Sequence, residues 1–145
     1  MHPSHLQRLD RIWTRQALFF ITTATQDRRP LLARHEIFSV LQEEWRSMHA
    51  RHGWSIGRYL VMPDHVHFFA LASASTAPLE RMVGRWKEWT AKRCLPLVGL
   101  PAPFWQKRFF DHLLRSHESF VEKWDYVRMN PVRAKLVARP EDWPF

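Results

Sequence analysis

The sequence predicts an α+β fold in one domain, with helices packed on a small antiparallel sheet. Two observations carry that expectation. Four short stretches are rich in aromatic and β-branched residues and are bounded by Gly, Pro, Asp or Ser. Three longer stretches repeat apolar residues at helical spacing. At 145 residues, with no internal repeat and no composition break, the chain reads as a single unit large enough for a real core.

The elements follow in order. Residues 1–16 carry Arg8, Arg11 and Arg15 with little periodicity and read as a basic N-terminal arm. Ala17 to Thr25, centred on Leu18-Phe19-Phe20-Ile21, is the first strand, closed by Asp27-Arg28-Arg29-Pro30. A helix is expected from Leu32 to His52, with Ile37, Phe38, Leu41, Trp45 and Met48 on one stripe and Gly53 as its stop. Trp54 to Met62 and His65 to Leu71 form a hairpin around Pro63-Asp64. After a small-residue loop from Ala72 to Ala77, a second helix runs from Leu79 to Cys94. It buries Leu79, Met82, Val83, Trp86 and Thr90, and Pro96 ends it. Phe104 to Leu114 is a less regular fourth strand. A last helix starts at Ser116 or Ser119 as N-cap and ends at Asn130, before Pro131. Residues 131–145 are an irregular tail. The order β-α-β-β-α-β plus a C-terminal helix is the ferredoxin-like arrangement. Two crossover helices should cover one face of the sheet and the extra helix part of the other.

Composition narrows the function classes. The formal net charge is +8 and the pI about 10.5, and nucleic acid is the commonest partner of so basic a small domain. Eight tryptophans and ten phenylalanines supply core material and candidate stacking surfaces for single strands. The single cysteine, Cys94, excludes an internal disulfide framework and multi-thiolate zinc sites, and reads as a small buried hydrophobe. No apolar run approaches the roughly 20 residues that span a bilayer, and residues 1–11 lack a signal-peptide apolar region. A soluble cytoplasmic protein without a membrane partner is expected.

Two histidines stand two residues apart in the third strand. Side chains alternate along a strand, so His65 and His67 share one face while Val66 and Phe68 enter a core on the other. Two imidazoles on a rigid strand are much of a divalent-metal site. In the last helix, Phe120, Val121, Trp124 and Val127 form the apolar stripe, and Tyr126 lies roughly 160° from its middle at about 100° per residue. Asn130 falls one turn beyond Tyr126 on the same face. A tyrosine is a poor nucleophile at neutral pH. It can attack phosphorus when a cation neutralises the non-bridging oxygens, and two histidines plus an amide leave sites on Mg²⁺ or Mn²⁺ open for phosphate.

Three blocks carry a resemblance. They are Val61-Met62-Pro63-Asp64-His65-Val66-His67, then Trp105-Gln106-Lys107-Arg108-Phe109-Phe110-Asp111-His112, then Tyr126 to Val137 around Asn130-Pro131. Together the sequence resembles the single-tyrosine His-hydrophobe-His transposases, most nearly the REP-associated tyrosine transposases, from about Ala17 to Phe145. The resemblance implies a ferredoxin-like fold, with His65, His67 and Asn130 binding Mg²⁺ or Mn²⁺. It also implies Tyr126 as a nucleophile forming a covalent 5′-phosphotyrosine link with single-stranded DNA, often beside a hairpin, without ATP. Asp64 stands where the family more usually has Asn, and the family often continues beyond the Asp142-Trp143-Pro144-Phe145 block.

Lys87, Arg108, Arg128 and Arg133 are candidate phosphate contacts, each equally able to belong to a solvated basic face. His112 is a candidate for lining the site. The competing readings are a non-catalytic protein binding structured single-stranded DNA or RNA, and a metal-dependent phosphodiesterase using water. Both a monomer and a homodimer are compatible with the sequence, and the short 113–119 loop favours a site built within one chain.

Overall fold

A computed structural model describes residues 17–72 and 77–145, so the 1–16 arm and most of the 72–77 loop lie outside the described residues. Four strands, β1 (Leu18–Ala24), β2 (Trp54–Val61), β3 (His65–Ala72) and β4 (Phe110–Leu114), form one sheet in the order β2-β3-β1-β4. Every neighbouring pair is antiparallel. With helices α1 (His35–His52) and α2 (Leu79–Val98) as the crossovers, this is the expected ferredoxin-like arrangement. Helix α3 (His117–Val127) and a one-turn helix α4 (Asn130–Arg133) follow.

The alternation along β1 and β3 sorts side chains into two cores. Ile21, Val66, Phe68 and Ala70 face α1 and α2, where they meet Leu41, Trp45, Met48, Met82 and Trp86. Trp45 stacks on Trp86 at 5.0 Å between centroids. The opposite face carries Leu18, Phe20, Leu60 and Phe69 against Phe120 and Val127 of α3. Phe120 and Val127 are the stripe residues that were expected to pack, and both are buried. His65 and His67 share this second face, as expected from their spacing.

Helix boundaries depart from the sequence reading in three places. Helix α1 starts at His35 rather than Leu32, because Leu31 and Leu32 are drawn into the core by the Leu32 N–H donating to Pro63 O at 2.9 Å. Helix α2 continues through Pro96 to Val98 and ends at Gly99, whose left-handed backbone (φ 67°) lets its N–H close on Leu95 O. Pro96 falls in the last turn, where few bonds are lost. The third departure bears on the site. A proline at 131 has no N–H for Val127 O and its ring crowds that carbonyl, so α3 stops at Val127. Pro131 then takes an early position in α4, where its fixed φ is suited to a new helix.

The fourth strand is also shorter than expected. Phe104 and Trp105 are core residues, joined to the sheet by one bridge between Trp105 and Thr25, and only Phe110–Leu114 pairs continuously with β1. Trp105 is held by its side chain, its Nε1–H donating to Thr90 Oγ1 at 2.9 Å. The tail is partly ordered by a 3₁₀ turn at Pro140–Asp142. Beyond it, Trp143 Nε1–H donates to Val61 O at 2.9 Å, and Phe145 packs on Phe38.

Candidate active site

Strand β3 brings His65 and His67 together with ring centroids 4.8 Å apart. Each is fixed from behind. Thr22, opposite His67 in the β1–β3 register, has its Oγ1 2.7 Å from His67 Nδ1. Asp64 has Oδ1 2.8 Å from His65 Nδ1. With Nδ1–H donating to these oxygens, both Nε2 lone pairs remain for a cation, the arrangement that orients metal-binding imidazoles.

The amide of Asn130 completes the group. Its Nδ2 lies 3.0 Å from His67 Nε2 across sixty-three positions of sequence, so it donates to the lone pair that the Thr22 contact leaves free. Two imidazoles and an amide therefore converge within a single chain. Among the described residues there is no cluster of three His, Cys, Asp or Glu. As the amide stands, Nδ2 faces His67 while Oδ1, the atom that ligates metal, accepts from Arg133; with the amide turned over, two imidazole nitrogens and one oxygen would face a divalent cation that keeps open positions.

Electrostatics keep His67 neutral. Burial comes first in pushing its pKa down to about 3, and the nearby His65, Lys123, Arg133 and Arg28 charges add to it. A neutral imidazole is the form that ligates metal. Asp64 behaves differently. Burial would raise its carboxyl, yet hydrogen bonds from His65 and Arg28 outweigh this and hold it below the usual carboxylate range. Arg28 Nε–H donates to Asp64 Oδ2 at 2.9 Å, so this carboxylate beside the histidines is matched by a cation. Arg28 is presented from a 3₁₀ turn in which Asp27 and Arg28 both take positive φ (58° and 53°).

Tyr126 is 65 % exposed, away from the α3 core as its helical position implied. It lines an open groove of about 250 Å³ with His112, Leu114, Ser119, Glu122 and Lys123. The Arg133 guanidinium lies 4.0 Å from the centroid of its ring and also donates to Asn130 Oδ1. Arg133 thus physically links the tyrosine to the amide. Asn130 was expected on the same helix as Tyr126; instead it opens α4, and the intervening Arg128 and Met129 stay right-handed and keep the two close.

The remaining candidates divide. His112 is in register with Phe20 on the site face and lines the Tyr126 groove. Arg108 is exposed, and Arg128 lies on another side of α3 beside Asp125, at 3.5 Å. Lys87 is half-buried on α2, its ammonium donating to the carbonyls of Gln106, Lys107 and Arg108. Burial pulls its pKa down. In this structure Lys87 fixes the chain leading into β4.

Thr22, Arg28 and Lys123 are site residues that the sequence reading did not single out. The signal for Thr22 is its place between Phe20 and Ala24 on one face of β1, which becomes useful only once the β1–β3 register is known.

Comparison with known proteins gives the family and the fold. Residues 15–119 match the family described as "Transposase IS200 like". A relative from Escherichia coli (strain K12), "REP-associated tyrosine transposase", is 27 % identical over 93 % of this chain and 78 % of its own. The solved structure of a REP-associated tyrosine transposase bound to a REP hairpin superposes with a TM-score of 0.75 at 23 % identity, covering 89 % of this chain and 74 % of that one. The match to the family includes both histidines, while Tyr126 and Asn130 lie beyond it and rest on the geometry above. Fold, order of elements and family match agree: this chain belongs to the IS200-like transposases and is a transposase enzyme.

Proposed function

We propose that this transposase cuts single-stranded DNA, at or beside a hairpin, through a covalent 5′-phosphotyrosine and then joins the end to another strand. The observation that carries this reading is the contact of Asn130 with His67 beside the Tyr126 groove. It unites a metal-binding donor set with an exposed nucleophile. Hairpin DNA as substrate is supported by the solved relative, which is bound to a REP hairpin.

The Tyr126 hydroxyl oxygen attacks phosphorus and the bond from phosphorus to the 3′ oxygen breaks. The phenolic proton is lost to solvent, and the departing 3′ oxygen takes one up. One ester replaces another, so no ATP is needed. A second 3′-hydroxyl reverses the step and restores the tyrosine. His65, His67 and Asn130 would hold Mg²⁺ or Mn²⁺, which when bound neutralises the non-bridging oxygens and orients the scissile bond. Arg133 positions the tyrosine ring, and Lys123 adds positive charge where the phosphate must lie.

The site is completed within one chain, which fits a monomer and equally a homodimer with two complete sites. Among the described residues no helix is long and apolar enough to cross a membrane, and a cytoplasmic location belongs to this reading because its DNA substrate is found there.

Tyr126→Phe removes only the nucleophilic oxygen. Cleavage of a labelled single-stranded hairpin should fall to background while its binding stays within about twofold of the parent. Chelation should abolish cleavage by the parent and be reversed by Mn²⁺. Equal cleavage by Tyr126→Phe and the parent would overturn the mechanism.

A further inference from the structure

A second groove lies on another side of α3 from the one that holds Tyr126. It has a volume of about 340 Å³ and is lined by Arg58, Phe120, Val121, Trp124, Asp125 and Arg128. That volume falls in the range of small-ligand pockets. Its wall is aromatic and aliphatic, its rim carries two guanidinium groups, and one carboxylate stands among them.

Arg58 is placed there by an irregularity in the sheet. Strand β2 pairs regularly with β3 on either side, but the register shifts between Ile56 and Tyr59. Such a bulge re-aims a side chain, and here it sends Arg58 over the Trp124 ring, 5.1 Å from the centroid. At the far rim Arg128 meets Asp125 at 3.5 Å, a loose pair with Asp125 largely exposed. The Asp125 carboxylate therefore keeps acceptor capacity facing the groove.

We infer that this groove binds one unpaired nucleobase of single-stranded DNA. The base stacks on the Arg58 guanidinium that covers Trp124, and Arg128 holds an adjoining phosphate. Asp125 accepts from an exocyclic amino group, as carboxylates do from the amino group of cytosine. The groove therefore favours cytosine or adenine over thymine. Aromatic stacking with flanking cations is the general means of holding single strands, and the carboxylate adds base choice. The inference rests on the proposed use of single-stranded DNA. It concerns a groove on which the cleavage chemistry does not draw.

The test is equilibrium binding of short unstructured oligo-dC, oligo-dA and oligo-dT to the full chain in the Tyr126→Phe background, followed by fluorescence anisotropy. The unsubstituted groove should prefer dC and dA to dT by roughly tenfold, the scale of one good base contact. Asp125→Asn should erase that preference with the overall fold unchanged by circular dichroism. Arg58→Ala, an exposed position that leaves the core intact, should weaken dC and dA binding by roughly tenfold and dT binding much less. Equal affinity for the three oligonucleotides overturns the inference and leaves the proposed function standing. So does an equal loss on all three with Arg58→Ala, which would make Arg58 a general phosphate contact. Failure of the unsubstituted groove to bind any of them overturns the inference alone, since the proposed function is read on cleavage of a hairpin substrate.

Discussion

His67 concentrates the physics of the site at the level of a residue. It is stacked on Phe20 at 5.3 Å, held at Nδ1 by Thr22 and met at Nε2 by Asn130. Thr22→Val keeps the shape and removes the hydroxyl that fixes the ring. Loss of such a supporting contact lowers metal affinity by about 10- to 100-fold, which a Mn²⁺ titration would detect; unchanged affinity would show that the ring is oriented by packing alone. The titration of His67 also has a sign. Its folded pKa, about 3, lies below the unfolded value of 6.5, so the unfolded chain binds the proton more readily. Stability is then complete above about pH 6.5 and is lost as pH falls towards 3. At pH 5 the loss is about 2 kcal/mol from this group, and urea unfolding with chelator present should show it shrink in His67→Gln. The shared face of the histidine pair and the outward position of Tyr126 were legible in the sequence, because strand and helix periodicities fix them; the helix break before Asn130 was not. Thr22 and Arg28 were not, since their roles depend on register and on a turn with two positive-φ residues, which local pattern does not encode.

Between elements, the break at Pro131 decides how the two halves of the site meet. An uninterrupted helix would carry Asn130 along the axis of α3, whereas the new start at α4 lets its amide reach His67. Pro131→Ala supplies the missing N–H and removes the clash with Val127 O. The expected outcome is a slightly longer α3 by circular dichroism and metal affinity lowered about tenfold or more, in line with losses at ligand-orienting positions. Pro131 is buried, so urea unfolding should accompany the measurement. Lys87 makes a different prediction. Because its ammonium ties down three carbonyls before β4, Lys87→Met should lower stability by about 1.5–3 kcal/mol, the range for hydrogen bonds to charged groups. The salt slope of DNA binding should stay unchanged. A slope reduced by about one unit would instead identify Lys87 as a phosphate contact. Sequence reading gave the order and kind of these elements because apolar periodicity is strong in each. It misjudged their ends where a proline could be tolerated, as at Pro96, or where side-chain anchoring replaced a strand ladder, as at Trp105.

The whole molecule is a two-faced sheet with divided duties. One face is closed by α1 and α2 over the larger core, which gives the strands their rigidity. Among the described residues the other is only partly covered by α3, and the part that α3 leaves holds His65, His67, Phe110 and His112 beside Tyr126. Phe110 is 56 % exposed there, an aromatic surface level with the histidine pair. A basic chain with such a face suits the polyanionic substrate that the proposed function requires. The central claim is that Tyr126 is the atom-donating end of that site. Its most direct test is to incubate the full chain with Mn²⁺ and a single-stranded hairpin substrate, denature, digest, and locate the nucleotide-bearing peptide by mass spectrometry. The account predicts a 5′-phosphonucleotide on Tyr126, absent with chelator and absent in His67→Gln. Cleaved DNA without any protein adduct, or an adduct on another residue, would contradict it.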